Sequence, residues 1–336
     1  LKAPVFIVGA PRSGTTLTAR IVGGHPEIYI PGEGYFFDDI YSSRKELGEL
    51  PDLDVLKKIY NRLMDMYGRY NMLEDQERVE DLSKGPLDFE AFSDCSDYKD
   101  VLNVFMDVQT REAGKLRWGN HTPRDLYNID DILSFYPDAH IIACVRDPRD
   151  FMLSYKEKWK VRKGMEAVRL KSLYHPVITS LQWKSSMEKI LGLEKKVPPE
   201  NLTILKYEDL VTEPEKMVRN LCAGLKEKFY PEMLNVSCNN SSSLNAGQKG
   251  IFSSSVGKWR EQLSYIDVAV MQIIAGKEME LAGYEIEKVA CSKFKILWLF
   301  LTAPFAVTKG LFLNRHKRGP LLPYLIRRLK PFLKDC

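Results

Sequence analysis

The sequence predicts an α/β protein with a central parallel β-sheet flanked by helices and interrupted by helical insertions. Three stretches carry that expectation. An apolar strand, Val5–Val8, passes through a glycine-bearing turn into a helix that stops at Gly23-Gly24-His25-Pro26. HIIACVRD, at 140–147, is a short β-rich apolar run of the kind buried on both faces of a parallel sheet, and helical sequence from Pro148 follows it directly. NLTILKYEDL, at 201–210, reads as another strand and leads into a further helix. Strands that alternate with helices in this way form parallel sheets.

The remaining elements follow in order. Residues 53–73 carry Val55, Leu56, Ile59, Leu63 and Met66 at helical spacing. Residues 74–97 are polar and irregular, a surface excursion, and 98–112 are helical again. WGNHTPRDLYNIDDILSFYP reads as a loop, then a helix from near Pro123 to a stop at Pro137. A helix is expected from Pro148 to about Val161. EPEKMVRNLCAGLKEKF is a helix with an acidic start and a basic end, as the macrodipole favours. Residues 236–256 are rich in Ser, Asn and Gly and read as a loop, and a helix over 260–282 closes the globular part. There are no internal repeats.

With 336 residues, 44% apolar and 28% charged, the chain can bury a sizeable core without a disulfide scaffold. The net charge of +4 is mild, and no basic helix interleaved with aromatics precedes the C-terminus, so nucleic acid is not expected as a partner. The cysteines (Cys95, Cys144, Cys222, Cys238, Cys291, Cys336) are scattered without a C-x-x-C pair, which argues against zinc. Cys144, mid-strand, and Cys222, mid-helix, read as buried thiols. Sequons at Asn120, Asn201, Asn235, Asn239 and Asn240 are compatible with a secretory-pathway lumen, although such triplets also arise by chance. The chain begins at Leu1 rather than Met, which leaves room for a targeting or anchor segment ahead of it.

The turn after the first strand carries the first chemistry. GAPRSGTT, at 9–16, has the glycine spacing of a nucleotide-binding loop, but Thr15 stands where a Walker loop has lysine, and the nearby cation is Arg12, inside the loop. Backbone N–H groups and the positive end of the helix that starts near Thr15 make an anion site. Gly9 and Gly14 allow close backbone approach, Ser13, Thr15 and Thr16 add hydroxyls, and Arg12 adds a planar cation. The missing lysine points away from ATP, whose β/γ charge is shared between that lysine and Mg²⁺. A sulfuryl group carries a single negative charge, which one arginine and backbone donors can stabilise during transfer.

A second constellation is CVRDPRDFMLSYKEKW, at 144–159. It sets Arg146 at a strand end and Ser154 on the following helix, where the two can converge on one anion at the carboxyl edge of the sheet. Together the two motifs resemble the sulfotransferase family, whose donor is 3′-phosphoadenosine 5′-phosphosulfate (PAPS). Their style is nearest the carbohydrate, tyrosylprotein and bacterial-type members, and the likeness covers about residues 4–283. It implies a P-loop-like sulfotransferase fold over residues 1–290, with no metal and with adenosine 3′,5′-bisphosphate as product. Arg12, Ser13, Gly14, Thr15 and Thr16 would form its 5′-phosphosulfate loop, and Arg146 and Ser154 its 3′-phosphate motif. ILKYEDL resembles the family's third core strand, which places Tyr207 beside the adenine. SSSVGKWREQL resembles the late loop that closes over the nucleotide, implicating Ser255, Lys258 and Trp259.

Two residues are candidates for the base that deprotonates the acceptor hydroxyl. Glu33 lies in an E-x-x-F-F-D stretch similar to that of carbohydrate sulfotransferases and, more loosely, to the catalytic Glu of tyrosylprotein sulfotransferases. His121 sits two residues before a proline, as the catalytic His of cytosolic sulfotransferases does, whereas many relatives have Lys there in a W-G-x-K-T-P pattern. His121 could therefore be a base, a leaving-group contact or a substrate contact. Arg12 would stabilise charge on the bridging oxygen.

The tail, 291–336, differs from the rest. Residues 296–307 are almost wholly apolar, with Pro304 expected to break the run, and basic clusters follow at 315–318 and 327–330. The stretch 296–313 is barely long enough to cross a bilayer, and the alternation suits an interfacial segment, so contact with a membrane surface is expected through residues 294–334. A helix pair packed on the core is the other reading. The expectation is thus a membrane-associated sulfotransferase, on a cytoplasmic face rather than in a secretory lumen. It would act on a hydroxyl of a small-molecule, lipid-like or carbohydrate acceptor, with tyrosine also open. The alternatives are an ATP-dependent P-loop phosphotransferase and a membrane-tethered nucleotide-binding protein without turnover.

Overall fold

A computed structural model describes residues 2–74, 87–236 and 249–313. Cys238, Cys336, Asn239, Asn240 and both basic clusters of the tail lie outside them. The chain divides into two compact units. The first comprises Leu1–Cys144, Leu193–Leu205 and Glu215–Val236, and the second Val145–Gly192, Lys206–Pro214 and Ser237–Cys336.

The first unit carries the sheet. Its strands are β1 (Val5–Gly9), β2 (Ile28–Tyr29), β3 (Arg117–Asn120), β4 (His140–Val145) and β5 (Leu202–Lys206), in the order β2-β3-β1-β4-β5. β4 and β5 each end with one residue of the second unit. β1 runs parallel to β3 and to β4, and β2 parallel to β3. Every residue of β1, β3 and β4 is buried.

β3 corrects the sequence reading, which took this stretch for a loop. Arg-Trp-Gly-Asn has no β-branched residue, yet it pairs centrally. A Cβ on Gly119 would lie 2.9 Å from the Val5 carbonyl oxygen, so glycine is what lets the strand approach β1. Arg117 is tolerated because Nε donates to the Ala3 carbonyl (2.6 Å), and Nη1 donates to the Leu225 carbonyl (2.9 Å) and pairs with Glu227 (3.2 Å).

The helices of this unit include α1 (Thr15–Gly23), the single turn α2 (Arg44–Leu47), α3 (Leu53–Glu74), α4 (Tyr98–Glu112), α5 (Ile129–Phe135) and, from its second residue on, α10 (Pro214–Leu225). Val55, Leu56, Ile59, Leu63 and Met66 are buried, as the helical spacing required. The segment from Pro123 starts as a 3₁₀ turn, Pro123–Asn128, before α5. An aromatic cluster anchors the chain after α1. Phe6 of β1 meets Trp118 (5.7 Å between ring centroids), Phe37 (6.1 Å) and Tyr136 (6.0 Å).

The second unit contains α6 (Pro148–Glu157), α7 (Gly164–Ser172), α8 (Pro176–Leu191), α9 (Tyr207–Thr212), α11 (Trp259–Gln262), α12 (Tyr265–Leu281) and α13 (Lys293–Leu313). Four boundaries differ from the sequence reading. α6 ends at Glu157 and gives way to a 3₁₀ turn, Lys158–Val161. β5 stops at Lys206, and Tyr207 opens α9, whose first turn holds Glu208 and Asp209 where the helix dipole favours acid. The helix expected over 260–282 is two, because Ser264 leaves the helical path and caps α12 by accepting from the Asp267 amide. Pro304 lies inside α13 without ending it. Its ring denies the Phe300 carbonyl a donor within the helix.

Gly9 offers a direct test of the strand packing. Its φ is +150°, and a Cβ there would lie 2.5 Å from the Cys144 carbonyl oxygen on β4. Gly9→Ala is expected to cost about 2 kcal/mol or more, read as a lower urea midpoint. An unchanged midpoint would mean that the β1–β4 contact is looser than described.

Candidate active site

The candidate residues fall into two clusters, one in each unit. In the first, β1 delivers the chain into a turn of unusual backbone. Arg12 has φ +77°, rare for a bulky residue, and Gly14 has φ +92°. Left-handed residues within a turn are how backbones build N–H-lined concavities for anions. The turn is closed by the Ser13 amide donating to the Ala10 carbonyl (3.1 Å). Gly14 caps α1 without any side-chain hydrogen bond to the first-turn amides. The Thr18 hydroxyl donates to the Gly14 carbonyl (3.1 Å) and lies 3.4 Å from Cys144 Sγ. Burial pushes the Cys144 thiol up to about 12, so it is an inert packing group. The Ser13 hydroxyl is 1% exposed and has no protein hydrogen-bond partner. A buried donor at an uncapped helix N-terminus fits a bound anion. Thr15 is buried and Thr16 half-buried in the same first turn.

Glu33 and His121 are brought together in this unit by the chain that leaves β3. His121 is buried, and its Nδ1 lies 3.1 Å from the Pro31 carbonyl oxygen. A carbonyl only accepts, so Nδ1 carries the proton, and in the neutral ring Nε2 is the basic nitrogen. The Gly34 amide donates to Thr122 Oγ1 (3.2 Å), Thr122 donates to Asn120 Oδ1 (3.4 Å), and Asn120 Nδ2 donates to Asp125 Oδ2 (2.7 Å). Tyr35 donates its phenol to Glu33 Oε2. The turn that bears Glu33 is thus fastened on both sides of the carboxylate.

Asp125 is wholly buried. Burial first, and then the nearby Asp38 charge, hold its carboxyl well above the ordinary range. Asn120 is 7% exposed and engaged in this network, so it cannot carry a glycan, which corrects the reading of its sequon. Beside Glu33 and Asn120 lies a small cavity of about 20 Å³ whose other walls include Phe36, Leu63, Phe105 and Met106.

The second cluster gathers around the start of α6. The Arg146 guanidinium lies 4.4 Å over the Tyr207 ring and donates to the Ser255 carbonyl (3.1 Å), while the Tyr207 and Ser255 hydroxyls are 2.7 Å apart. Trp183 Nε1 fixes the Arg146 carbonyl (3.0 Å). Asp147 caps α6 through the Arg149 amide (2.8 Å) and binds the Arg149 side chain through both oxygens (2.9 and 2.7 Å). Arg149 in turn lies 4.0 Å over the Trp259 ring. Asp150 accepts from the amides of Gly257 (2.6 Å) and Trp259 (3.0 Å). Burial raises the Asp150 carboxyl, opposed by the Arg146 charge and by these two amides. Glu208 accepts from the Asp147 amide (2.8 Å) and the Tyr284 phenol (3.0 Å).

Arg146, Tyr207 and Ser255 are therefore in mutual contact, and Trp259 is tied to the same motif through Arg149 and Asp150. Ser154 lies half-buried one turn beyond Asp150 on α6, and Lys258 half-buried between the two residues Asp150 holds. Trp259 is 4% exposed, and its indole N–H has no protein acceptor. Asp150, Glu208, Thr122 and Asp125 were not found by sequence reasoning. The second Asp of R-D-P-R-D was visible but had no assigned partner. No cluster of three or more His, Cys, Asp or Glu able to hold a metal occurs among the described residues.

Comparison with known proteins decides the family. The model of the sulfotransferase family matches residues 4–231. The chain belongs to the sulfotransferase family. Among relatives of this family member, an uncharacterized protein of Aquifex aeolicus is 25% identical over 297 residues, covering 85% of this chain and 34% of its own length. Nodulation protein NoeE of Sinorhizobium fredii is 24% identical over 305 residues, covering 83% of this chain and 65% of its own. The chain thus spans between about a third and two thirds of the length of these curated relatives. Two solved structures share the fold. The sulfotransferase domain of the Synechococcus PCC 7002 olefin synthase has a TM-score of 0.56 at 22% identity, over 85% of this chain and 98% of that one. The sulfotransferase domain of the curacin biosynthetic pathway has a TM-score of 0.52 at 20% identity, over 85% and 99%.

Asp150 makes the placement of residues 257–259 testable. Asp150→Ala leaves a buried amide (Trp259) and a half-buried one (Gly257) without their acceptor, an expected cost of about 2 kcal/mol. Trypsin should then cut after Lys258 and Arg260 about tenfold faster or more. Unchanged cleavage would mean that the loop is held by other contacts.

Proposed function

We propose that the chain transfers a sulfuryl group from PAPS to an acceptor hydroxyl. The observation that carries this is the turn at 9–16, where a buried Ser13 hydroxyl without a protein partner sits at a helix start without a side-chain cap, beside a left-handed Arg12. Arg12, Ser13, Gly14, Thr15 and Thr16 would hold the phosphosulfate. Arg146 and Ser154 would hold the 3′-phosphate, and Tyr207 would border the adenine, with Ser255, Lys258 and Trp259 closing over the nucleotide. The bound donor supplies a sulfuryl group on a phosphate leaving group. Arg12 and the loop amides offset the charge that builds on that phosphate.

Glu33 takes the acceptor proton. Its turn is clamped through Gly34 and its carboxylate oriented by Tyr35, as a positioned base requires. His121, held by Pro31 through Nδ1, presents Nε2 to the transferring or acceptor oxygen. The apolar side chains beside Glu33 support a lipid-like alcohol over a carbohydrate as acceptor, which would be presented at a membrane surface on the cytoplasmic side. Residues 1–290 would form the catalytic domain and 291–336 the membrane-associating segment.

Two measurements test this reading. Retention on immobilised adenosine 3′,5′-bisphosphate is expected to be competed by PAPS and not by ATP, and to fall with Arg12→Ala. With labelled PAPS and a pool of lipid alcohols, Glu33→Gln should lower turnover about 10²- to 10⁴-fold while nucleotide retention is unchanged. Full activity in Glu33→Gln with loss in His121→Ala would transfer the base to His121. Competition by ATP would favour a phosphotransferase instead.

A further inference from the structure

We propose that α13 is a monotopic lipid-binding helix. It lies along one leaflet, with its outer face among the lipids and its inner stripe packed on its own unit, and it does not cross the bilayer. The inference does not rest on the sulfuryl-transfer reading.

By length and composition alone α13 could span a membrane. It has 21 residues, about 31 Å at 1.5 Å per residue, against a hydrocarbon core of about 30 Å. Its contacts argue otherwise. Ala303 is 8% exposed and packs with Val177 of α8 and Val270 of α12, and Leu299 joins the same cluster beside Ile178 and Ile274. The Thr302 hydroxyl is 3.2 Å from His175 Nε2, and Gly310 faces Leu173 at the end of α7. Positions 299, 302, 303 and 310 form one stripe, so the helix is fastened along about 16 Å of its length.

The elements that hold this stripe are charged. α8 carries Lys184, Glu188 and Lys189, and α12 carries Lys277, Glu278 and Glu280, with Lys184 paired to Glu278 at 3.4 Å. A bilayer-crossing α13 would either draw these charges into hydrocarbon or abandon the stripe.

The opposite face cannot be explained as core. Phe294 is 76% exposed, Leu297 57%, Trp298 60%, Leu301 58%, Phe305 74% and Phe312 63%. Scattered exposed apolar residues are ordinary, but a contiguous helical face of large ones marks an interaction surface. A helix apolar all round is normally covered all round.

Charge selects the occupant. The charged residues on α13 are Lys293, Lys295 and Lys309, with no acid among them. The sequence that follows adds Arg315, Lys317, Arg318, Arg327, Arg328, Lys330 and Lys334 before its first acid, Asp335. Apolar rings and leucines flanked by cations match a leaflet bearing anionic headgroups. A second copy of the chain would bring a second set of like charges to the same face.

The test uses the full chain and vesicles of phosphatidylcholine with and without 30% phosphatidylserine, a composition chosen for the assay. The wild type is expected to float with the anionic vesicles and to bind the neutral ones several-fold less. The triple variant Leu297→Glu, Leu301→Glu, Phe305→Glu should lose binding about tenfold or more while keeping its circular dichroism and thermal midpoint. These side chains are already in water, so folding should not depend on them.

Topology is read separately. In protein added to sealed vesicles, cysteines introduced by Ser292→Cys and Asn314→Cys should both react with an impermeant maleimide, mapped by mass spectrometry. Protection of position 314 alone would mean that the helix crosses, and would overturn the proposal. So would a wild type that ignores both vesicles and elutes as a dimer broken by the triple variant. Sulfuryl transfer to a soluble alcohol remains measurable in either case, so failure here is distinguishable from failure of the reaction.

Discussion

The left-handed turn at Arg12–Gly14 is the constraint on which the proposed sulfuryl transfer depends. Arg12 is held at φ +77° and Gly14 at φ +92°, and the turn between β1 and α1 buries the Ser13 hydroxyl without giving it a protein acceptor. Such a turn costs free energy in its own right, since a non-glycine residue there is strained by about 1–3 kcal/mol. The packing beneath it supplies the determinacy. Gly9 lies flat against Cys144 of β4, and Thr18 ties α1 back to Gly14 and Cys144. A strained turn on a rigid strand pair is a reason to read this loop as a binding element rather than a connector.

The second unit divides labour within one short motif. In R-D-P-R-D, Asp147 and Arg149 satisfy each other and cap α6, and Asp150 captures the backbone of Gly257 and Trp259. Arg146 stacks on Tyr207 and reaches Ser255. Glu208 bridges this group to Tyr284 through the Asp147 amide. Several charges crowded into one buried turn would be unfavourable singly. They are tolerated because each carboxylate accepts from a backbone amide, a cation or a phenol. The segment around Gly257 and Trp259 is therefore positioned by acids, which in the proposed site need not touch nucleotide at all.

Much of this was legible in the sequence, for physical reasons that differ by element. β1 and β4 are continuous apolar runs, and only burial on both faces produces such runs, so strand and parallel sheet were readable together. β3 was not, because its pairing depends on Gly119 approaching Val5 and on Arg117 finding carbonyls distant in the chain. The break before α12 depended on a single capping serine, Ser264, inside helix-forming sequence. Among candidate site residues, those whose side chains carry anion-binding or acid–base chemistry stood out as motif letters. Asp150, Thr122 and Asp125 act on backbone or on other side chains, and a role of that kind leaves no local spacing to read. α13 combined both situations. Its apolar length was plain, but which half of its perimeter is covered was decided by Val177, Val270 and His175, far away in sequence.

Amide hydrogen exchange of the whole chain, with and without adenosine 3′,5′-bisphosphate, tests the central claim most directly. Occupation of the turn at Arg12–Gly14 predicts slowed exchange at the amides of residues 12–17 and, in the same titration, at residues 255–259, with ATP producing neither effect at equal concentration. Protection confined to other segments, or equal protection by ATP, would contradict the account.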